Sequence, residues 1–525
     1  MSSEPEGNAT SVKPSPFGEL SRRAAIVILV AVFAAILMGA MDSLVVATVL
    51  PTIAKDLNQQ TGVAFVVSAY LVSSTISIPI FSRLSDITSR RNVFIAGLSV
   101  FIVGSALAGL SQNLSELILF RGIQGFGGGG VFPVAIAMVA VLFPPETRSR
   151  VTGILSAAAG IAIVLGPLVG SAIVSFTTWR WVFYINLPFG ILALLVLMFE
   201  VGPLTPKTRG TYDVPGTVLL TAWVGALMVA LVQVADAGWA WTNPVVIALL
   251  SISVITLAIF LGWEFRAPQP LVPLRLLGQR VIGVASGVTL FTGITFSAYV
   301  TFLSLYVGDV LLHGASSNSA GVRDIIYFLA IPLVLGAGLA GQLLTRFAYR
   351  TLIAPGLLLA SVTAFFLTDL TGSTPLWILW HGFLPVGGLA LPLIPLGFGL
   401  GISLSGVTIS VQNEAPASEV GAAIGLTRFF QSLGGAIGIS LLQVFMTWRY
   451  GVLSSGASTP TALNNALVTT YNEAFLALAI CIVIAFVFSL FFVGRMPRTP
   501  QEDPEHVGTS TTSGDRPLTE AIEAP

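Results

Sequence analysis

The sequence predicts an all-α membrane protein with fourteen transmembrane helices. Three observations carry that reading: a shortage of charge, apolar runs of membrane-crossing length, and a lopsided distribution of Lys and Arg. Of the 525 residues 54% are hydrophobic and 9% charged, and the mean hydropathy is +0.90. Soluble domains are about 25% charged, so a chain this long has too few charges to cover a surface in water. Apolar runs near the roughly 20 residues that a membrane helix needs recur from Ala24 to Val493.

The first six spans are placed at 24–50, 61–82, 92–111, 116–142, 151–175 and 182–204. Two more follow at 214–236 and 243–263, then six at 281–312, 320–345, 352–372, 385–411, 420–446 and 473–493. The stretch from Leu376 to Val411 has room for a span and a half-span, with Trp377 and Trp380 read as interfacial anchors. With the N-terminus inside, eighteen of the 24 Lys and Arg fall on the inner side. Only Lys55, Arg180, Arg323 and Arg449 fall outside, and Arg121 and Arg428 lie within spans. This positive-inside bias predicts a multi-pass protein of the cell membrane with both termini cytoplasmic. Residues 1–23 are polar and carry acids, unlike a signal peptide. Residues 494–525 are rich in Pro, Ser and Thr and are expected to form a disordered cytoplasmic tail.

Several function classes lose support on composition alone. A net charge of zero suggests no nucleic-acid partner. Cys481 is the single cysteine, so no intrachain disulfide can form, and with His313, His381 and His506 scattered no metal centre is expected. The glycine run from Gly127 to Gly130 lies inside an apolar span and lacks the Gly-Lys-Ser/Thr ending of a nucleotide-binding loop. No cofactor and no enzymatic activity are expected.

The chain also repeats itself. Ser82–Asp86, through Arg90 and Arg91 to Gly97-Leu98, aligns without gaps onto Gly341–Thr345, through Tyr349-Arg350 to Gly356-Leu357. Independently, Gly153, Ala162 and Gly166 share one spacing with Gly425, Gly434 and Gly438. The repeat predicts a six-helix half over 24–204, two inserted helices and a linker over 205–280, and a second half over 281–493. Parallel halves of this kind place a substrate site near the midplane between them.

Charges within spans are the sharpest functional candidates. Asp42 sits about eight residues, roughly 12 Å, from the outer end of span 1. An acid at such a depth costs about 2.5–3.5 kcal/mol on insertion scales and is expected to face a cavity. It could carry a proton, attract a cationic group, or be held in an ion pair with Arg121 of span 4; pairing and proton release are compatible. Arg428 in span 13 needs a carboxylate or backbone partner, or serves the substrate. Asp309, near the outer end of span 9, is a further candidate. The aromatics Tyr70, Phe291, Phe296, Tyr299, Phe302 and Tyr306 either line an amphipathic cavity or pack.

Five ordered motifs then carry a family resemblance. Ser82-x-Leu84-x-Asp86-x-x-Ser89-Arg90-Arg91, between spans 2 and 3, resembles motif A of the major facilitator superfamily. Arg121-Gly-x-Gln124-Gly125-x-Gly127 resembles motif B, and Gly153 through Gly166-Pro167-x-x-Gly170 resembles motif C, the antiporter signature. Asp42 within Met41–Pro51 and the stretch Trp179–Gly190 are similar to the fourteen-span drug:proton antiporter branch. The chain departs from that pattern at Ser82, Ser89, Ala162 and Ser171, where glycine is usual, and at Gln431, where the branch often has arginine. Here Arg428 lies one turn earlier.

The resemblance implies the major facilitator fold and a proton-coupled exporter of amphipathic organic compounds, a multidrug antiporter working by alternating access. A dedicated exporter of one endogenous metabolite or lipid would share every motif; a sensor or enzyme on the same scaffold is the remaining class. Protons, small amphipathic molecules and lipid are the partners implied, and a monomer would suffice. Asp42 becomes the coupling acid, Arg121 its partner and Asp86, Arg90 and Arg91 a cytoplasmic gate. In physical terms Asp86 can accept charge-assisted bonds and meet the positive end of a neighbouring helix, a latch that one conformation makes and the other breaks. Otherwise the loop is only a topogenic basic turn. In motif C, Ala162, Gly166 and Gly170 share a face that permits close helix approach, and Pro167 removes one backbone bond.

Overall fold

Four helices start where a short polar side chain satisfies a free backbone N–H group. Asn113 accepts from the Glu116 backbone N–H at 2.9 Å while the Glu116 carboxylate accepts from Gln112 N–H at 2.8 Å, a reciprocal cap. Ser89, Asn243 and Thr459 cap other helices by accepting from a first-turn backbone N–H. The computed structural model describes residues 22–58, 65–200, 210–235, 238–307, 310, 320–369, 387–416, 418–455 and 459–492. Its helices are α1 Arg22–Asp56, α2 Phe65–Ile87, α3 Arg90–Leu110, α4 Leu114–Leu142 and α5 Pro145–Phe176. A broken rod follows, α6 Trp181–Tyr184 and α7 Asn186–Glu200, then α8 Val214–Ala235 and α9 Pro244–Glu264. The remainder are α10 Arg280–Tyr306, α11 Ala320–Leu343, α12 Tyr349–Phe365, α13 Gly387–Glu414, α14 Val420–Ser454 and α15 Pro460–Ser489.

Among the described residues, eleven segments are long and apolar enough to cross a membrane, and the apolar stretches Tyr327–Leu343 and Tyr349–Phe365 are shorter. Several ends differ from the hydropathy reading. The last helix begins at Pro460, not 473, because the Thr459 cap and a proline at its first position start it in a polar stretch that hydropathy does not see. Arg449 and Glu473, 2.6 Å apart, then tie α14 to α15. Span 6 is interrupted at Ile185 and is not continuous. Residues 370–386, which include Trp377 and Trp380, lie outside the described residues, as does Asp309.

In packing, α4 lies against α2 and α3, and α1 against α5; further along the chain α13 lies against α11 and α12, and α14 against α10. These groups meet where α5 crosses α11 and α2 crosses α14. Glycine makes the first crossing close: a Cβ on Gly153 would lie 2.7 Å from Gly341 Cα, and one on Gly341 would lie 2.9 Å from Gly153 Cα. The pair α8–α9 lies outside both crossings, with α8 touching α2 and α14. Trp223 of α8 packs edge-on against Phe429 of α14, their centroids 6.0 Å apart.

Candidate functional site

Four helices converge on Asp42, which is 2% exposed. Arg121 Nη1 of α4 donates to Asp42 Oδ2, and to Gln124 Oε1 at 2.8 Å. Arg121 Nε donates to the Val66 carbonyl at 3.2 Å. The other carboxylate oxygen, Oδ1, accepts from Gln124 Nε2 at 2.8 Å and from Asn186 Nδ2 at 3.0 Å. Both amides also reach Ser105 Oγ of α3, which donates to the Phe183 carbonyl at 2.8 Å.

Local sequence explains why these groups meet. Gly104 lets α3 touch α4, since a Cβ there would lie 2.5 Å from Gln124 N, and Gly125 lets α4 touch α2, since its Cβ would lie 2.4 Å from the Tyr70 carbonyl. The break before Asn186 starts α7 there and leaves the Phe183 carbonyl to accept from Ser105. The expected Asp42–Arg121 pair therefore exists, and Gln124 of motif B belongs to it. Asn186 and Ser105 are the residues that sequence reasoning did not single out. An amide inside an apolar run was the available signal for Asn186; Ser105, in a stretch of small residues, offered none.

A cavity of about 350 Å³ opens between α1, α2, α4 and α5 on one side and α10, α11, α13 and α14 on the other. Tyr70 is its boundary with the Asp42 cluster: the ring lines the cavity and also sits 4.3 Å below the Arg121 guanidinium. Asp42 itself is not in the cavity wall, although Gly39 and Ala40 are. Arg428 is in the wall, with its guanidinium carbon 3.8 Å from the centre of the Phe132 ring and Nη1 donating to Gln431 Oε1 at 2.5 Å. Of the aromatics proposed as lining, Tyr70 and Phe296 reach the cavity. Phe291 packs on Phe488, Tyr299 and Tyr306 pack on Phe475, and Phe302 is wholly buried in the core.

At the end of the bundle where α2 turns into α3, Asp86 accepts from the Gly421 and Ala422 backbone N–H groups of α14 at 2.9 and 2.6 Å. Arg90 Nη2 donates to the same carboxylate at 3.2 Å and its Nη1 to the Ala137 carbonyl at 3.3 Å. Here a carboxylate sits on the positive end of a helix from the other side of the crossing. Arg91 instead donates to the Leu197 and Met198 carbonyls at the far end of α7, at 2.9 and 2.6 Å.

The departures at Ser82 and Ser89 have local reasons. Ser82 is buried and packs onto Gly425, where a Cβ would lie 2.3 Å from its own, so the glycine at this contact stands on the opposite helix. Ser89 caps α3. Two further ties at this end were not foreseen. Arg275, from the short 3-10 helix Leu274–Gly278 after α9, pairs with Glu419 at the start of α14. Gln412 of α13 accepts from Thr152 of α5 at 2.7 Å and donates to the Ile136 carbonyl of α4 at 3.0 Å.

The motif C face packs α5 on α1: a Cβ on Gly166 would lie 2.7 Å from Leu44 Cβ, and one on Gly170 would strike Thr48 Oγ1. Ala162 is fully buried, whereas the side chains of Pro167 and Ser171 lie outside the described residues. At the opposite end of α1, Asp56 accepts from Trp179 Nε1 at 2.8 Å and from Arg180 Nη1 at 3.0 Å. Those donors hold its carboxyl below the usual range.

Known proteins place this architecture. The chain is 29% identical over 449 residues to the multidrug transporter protein MdtP of Bacillus subtilis (strain 168), covering 86% of this chain and 80% of that one. It is 29% identical over 453 residues to the tetracenomycin C resistance and export protein of Streptomyces glaucescens, covering 86% and 81%. A double-tryptophan variant of XylE shares the fold with a TM-score of 0.61 at 15% identity, over 91% of this chain and 98% of that one. The profile of the Major Facilitator Superfamily matches residues 31–439, and the chain, a multi-pass membrane protein, belongs to that superfamily of transporters.

Proposed function

We propose that the protein is a proton-coupled exporter of amphipathic organic compounds, an antiporter of the fourteen-span drug:proton branch working by alternating access. In this reading the helices α1–α15, with α6 and α7 counted as one rod, are fourteen spans. They form halves over 24–204 and 281–493, with α8–α9 inserted between, in the plasma membrane with cytoplasmic termini. The names of the relatives support multidrug or antibiotic export.

The observation that carries the reading is the Asp42 carboxylate, buried deep in α1 and one Tyr70 ring away from the cavity. Its partners are Arg121 and two side-chain amides. A buried carboxylate held by a cation stays ionised while the pair is intact and gains a proton when the pair is pulled apart. Cargo that enters while the pair is apart and brings Arg121 back onto Asp42 would therefore expel the proton, which couples occupancy to proton release. Asp86 on the α14 N-terminus, with Arg90 beside it, is the cytoplasmic latch, and it must release before cargo can load from inside.

Substrate-induced proton release from the purified protein tests this directly. Asp42→Asn keeps the shape, mimics the protonated state and should abolish both proton release and uphill export; Asp42→Glu should keep part of each. Proton release and uphill pumping by the folded Asn variant would refute the assignment. The Streptomyces relative, named for resistance to and export of one compound, favours a second reading, a dedicated exporter of a single metabolite.

A further inference from the structure

Resting on the export reading, we propose that the cavity selects amphipathic anions: an apolar, aromatic-sized body carrying a carboxylate, sulfonate or acidic phenolate that pairs with Arg428. Among the described residues lining the cavity, Arg428 is the one charged side chain. Its guanidinium is clamped on two sides, by the Phe132 ring and by Gln431 Oε1, and no described carboxylate pairs with it. Its Nε and Nη2 donors have no protein hydrogen bond among the described residues. A guanidinium held over a ring face, with one edge of its donor fork uncommitted, is pre-organised for a planar two-oxygen acceptor.

The rest of the wall suits the remainder of such a molecule. Phe132, Phe296, Leu333 and Leu404 offer apolar surface, and the volume falls in the range of small-molecule sites. Gln431 uses its oxygen on Arg428, which leaves its amide N–H₂ as a second donor next to the same point. Ser156 Oγ, also in the wall, is buried and has no hydrogen-bond partner among the described residues, so it marks a second polar contact.

The acid that would attract a cation is withdrawn from this space. Asp42 is saturated by Arg121, Gln124 and Asn186 behind Tyr70, so a cationic cargo meets an uncompensated positive charge and no exposed carboxylate. The single-charge wall therefore discriminates by sign, which opposes the cation attraction that Asp42 alone suggests.

The test uses two xanthene dyes that share a ring body and differ in charge, fluorescein as anion and rhodamine 6G as cation. Both are titrated by fluorescence anisotropy into the purified full-length protein at fixed ionic strength. The wild type is expected to bind the anion at least about tenfold more tightly. Arg428→Gln should bring the ratio to about one by weakening the anion, and Gln431→Glu should do the same by pairing Arg428 internally while keeping it. Equal or tighter cation binding by the wild type, no saturable anion binding, or an unchanged ratio in the Gln431→Glu variant overturns the proposal, whether or not Arg428→Gln folds. The export reading is read separately, by proton-driven dye transport in proteoliposomes. Anion selectivity without pumping sinks that reading and leaves this one standing, and pumping of the cation without anion selectivity does the reverse.

Discussion

Replacing Asp86 by Asn should loosen the closed end of the bundle by an amount the structure allows one to work out. The carboxylate accepts two backbone N–H bonds from the start of α14 and one from Arg90. Hydrogen bonds to an ionised partner contribute ~1.5–3 kcal/mol each, against ~0.5–1.5 for neutral ones. Asn keeps one acceptor oxygen, so one backbone bond survives in weaker form, while its N–H₂ faces the second N–H. Attraction to the helix end is lost as well.

The closed arrangement should therefore lose about 2–4 kcal/mol, roughly a 30- to 1000-fold change in the ratio of closed to open. Thr88 and Ser418, both exposed, flank the contact on its two sides. Spin labels on cysteines at these positions, in a Cys481→Ser background, report the opening as a distance distribution. The wild type should give one short distance and Asp86→Asn a second, longer population, with slowed transport and normal amounts of protein in the membrane. A single unchanged distance together with wild-type transport would refute the latch.

Two further outcomes follow from contacts elsewhere. Gly153→Leu should push α5 from α11, because even a Cβ there lies 2.7 Å from Gly341 Cα; transport should disappear with protein still in the membrane, and Gly153→Ala should retain part of it. Thermal unfolding across pH reports Asp56: its lowered pKa means that its pairing with Trp179 and Arg180 contributes stability above the ordinary carboxylate range. That contribution is lost as pH falls through the lower folded value. Asp56→Asn should cost under ~1 kcal/mol near neutral pH, since the Asp56 side chain is half exposed. The difference from wild type should vanish in strong acid; a constant difference at every pH would contradict it.

How much of this was legible in the sequence divides by the range of the physics involved. A bilayer sorts residues by local composition, so an all-helical membrane chain and the places of its apolar runs can be read directly. Asp86 was legible for a similar reason: its partner Arg90 is one turn away, and a free helix N-terminus attracts any acid that can reach it. The Asp42–Arg121 pair could be anticipated because each charge, alone at that depth, has few ways to be satisfied.

Where a helix is rotated about its axis is decided by packing with its neighbours, and there the sequence was silent. Asn186 reaches Asp42, and Ser105 reaches the Asn186 and Gln124 amides that hold it, only because Gly104 and Gly125 let α2, α3 and α4 close up and because the rod of α6 and α7 breaks before Asn186. Ser82 could replace a usual glycine because Gly425 opposes it on α14. Helix ends escaped hydropathy too, since α15 continues through a polar stretch on its own backbone bonds and cap. The sequence by itself determined that Asp42 and Arg428 are costly charges that must be answered. Only the tertiary structure decided that Asp42 is answered by protein groups behind Tyr70 and that Arg428 faces the cavity, because that depends on which side of α1 and of α14 the neighbouring helices cover.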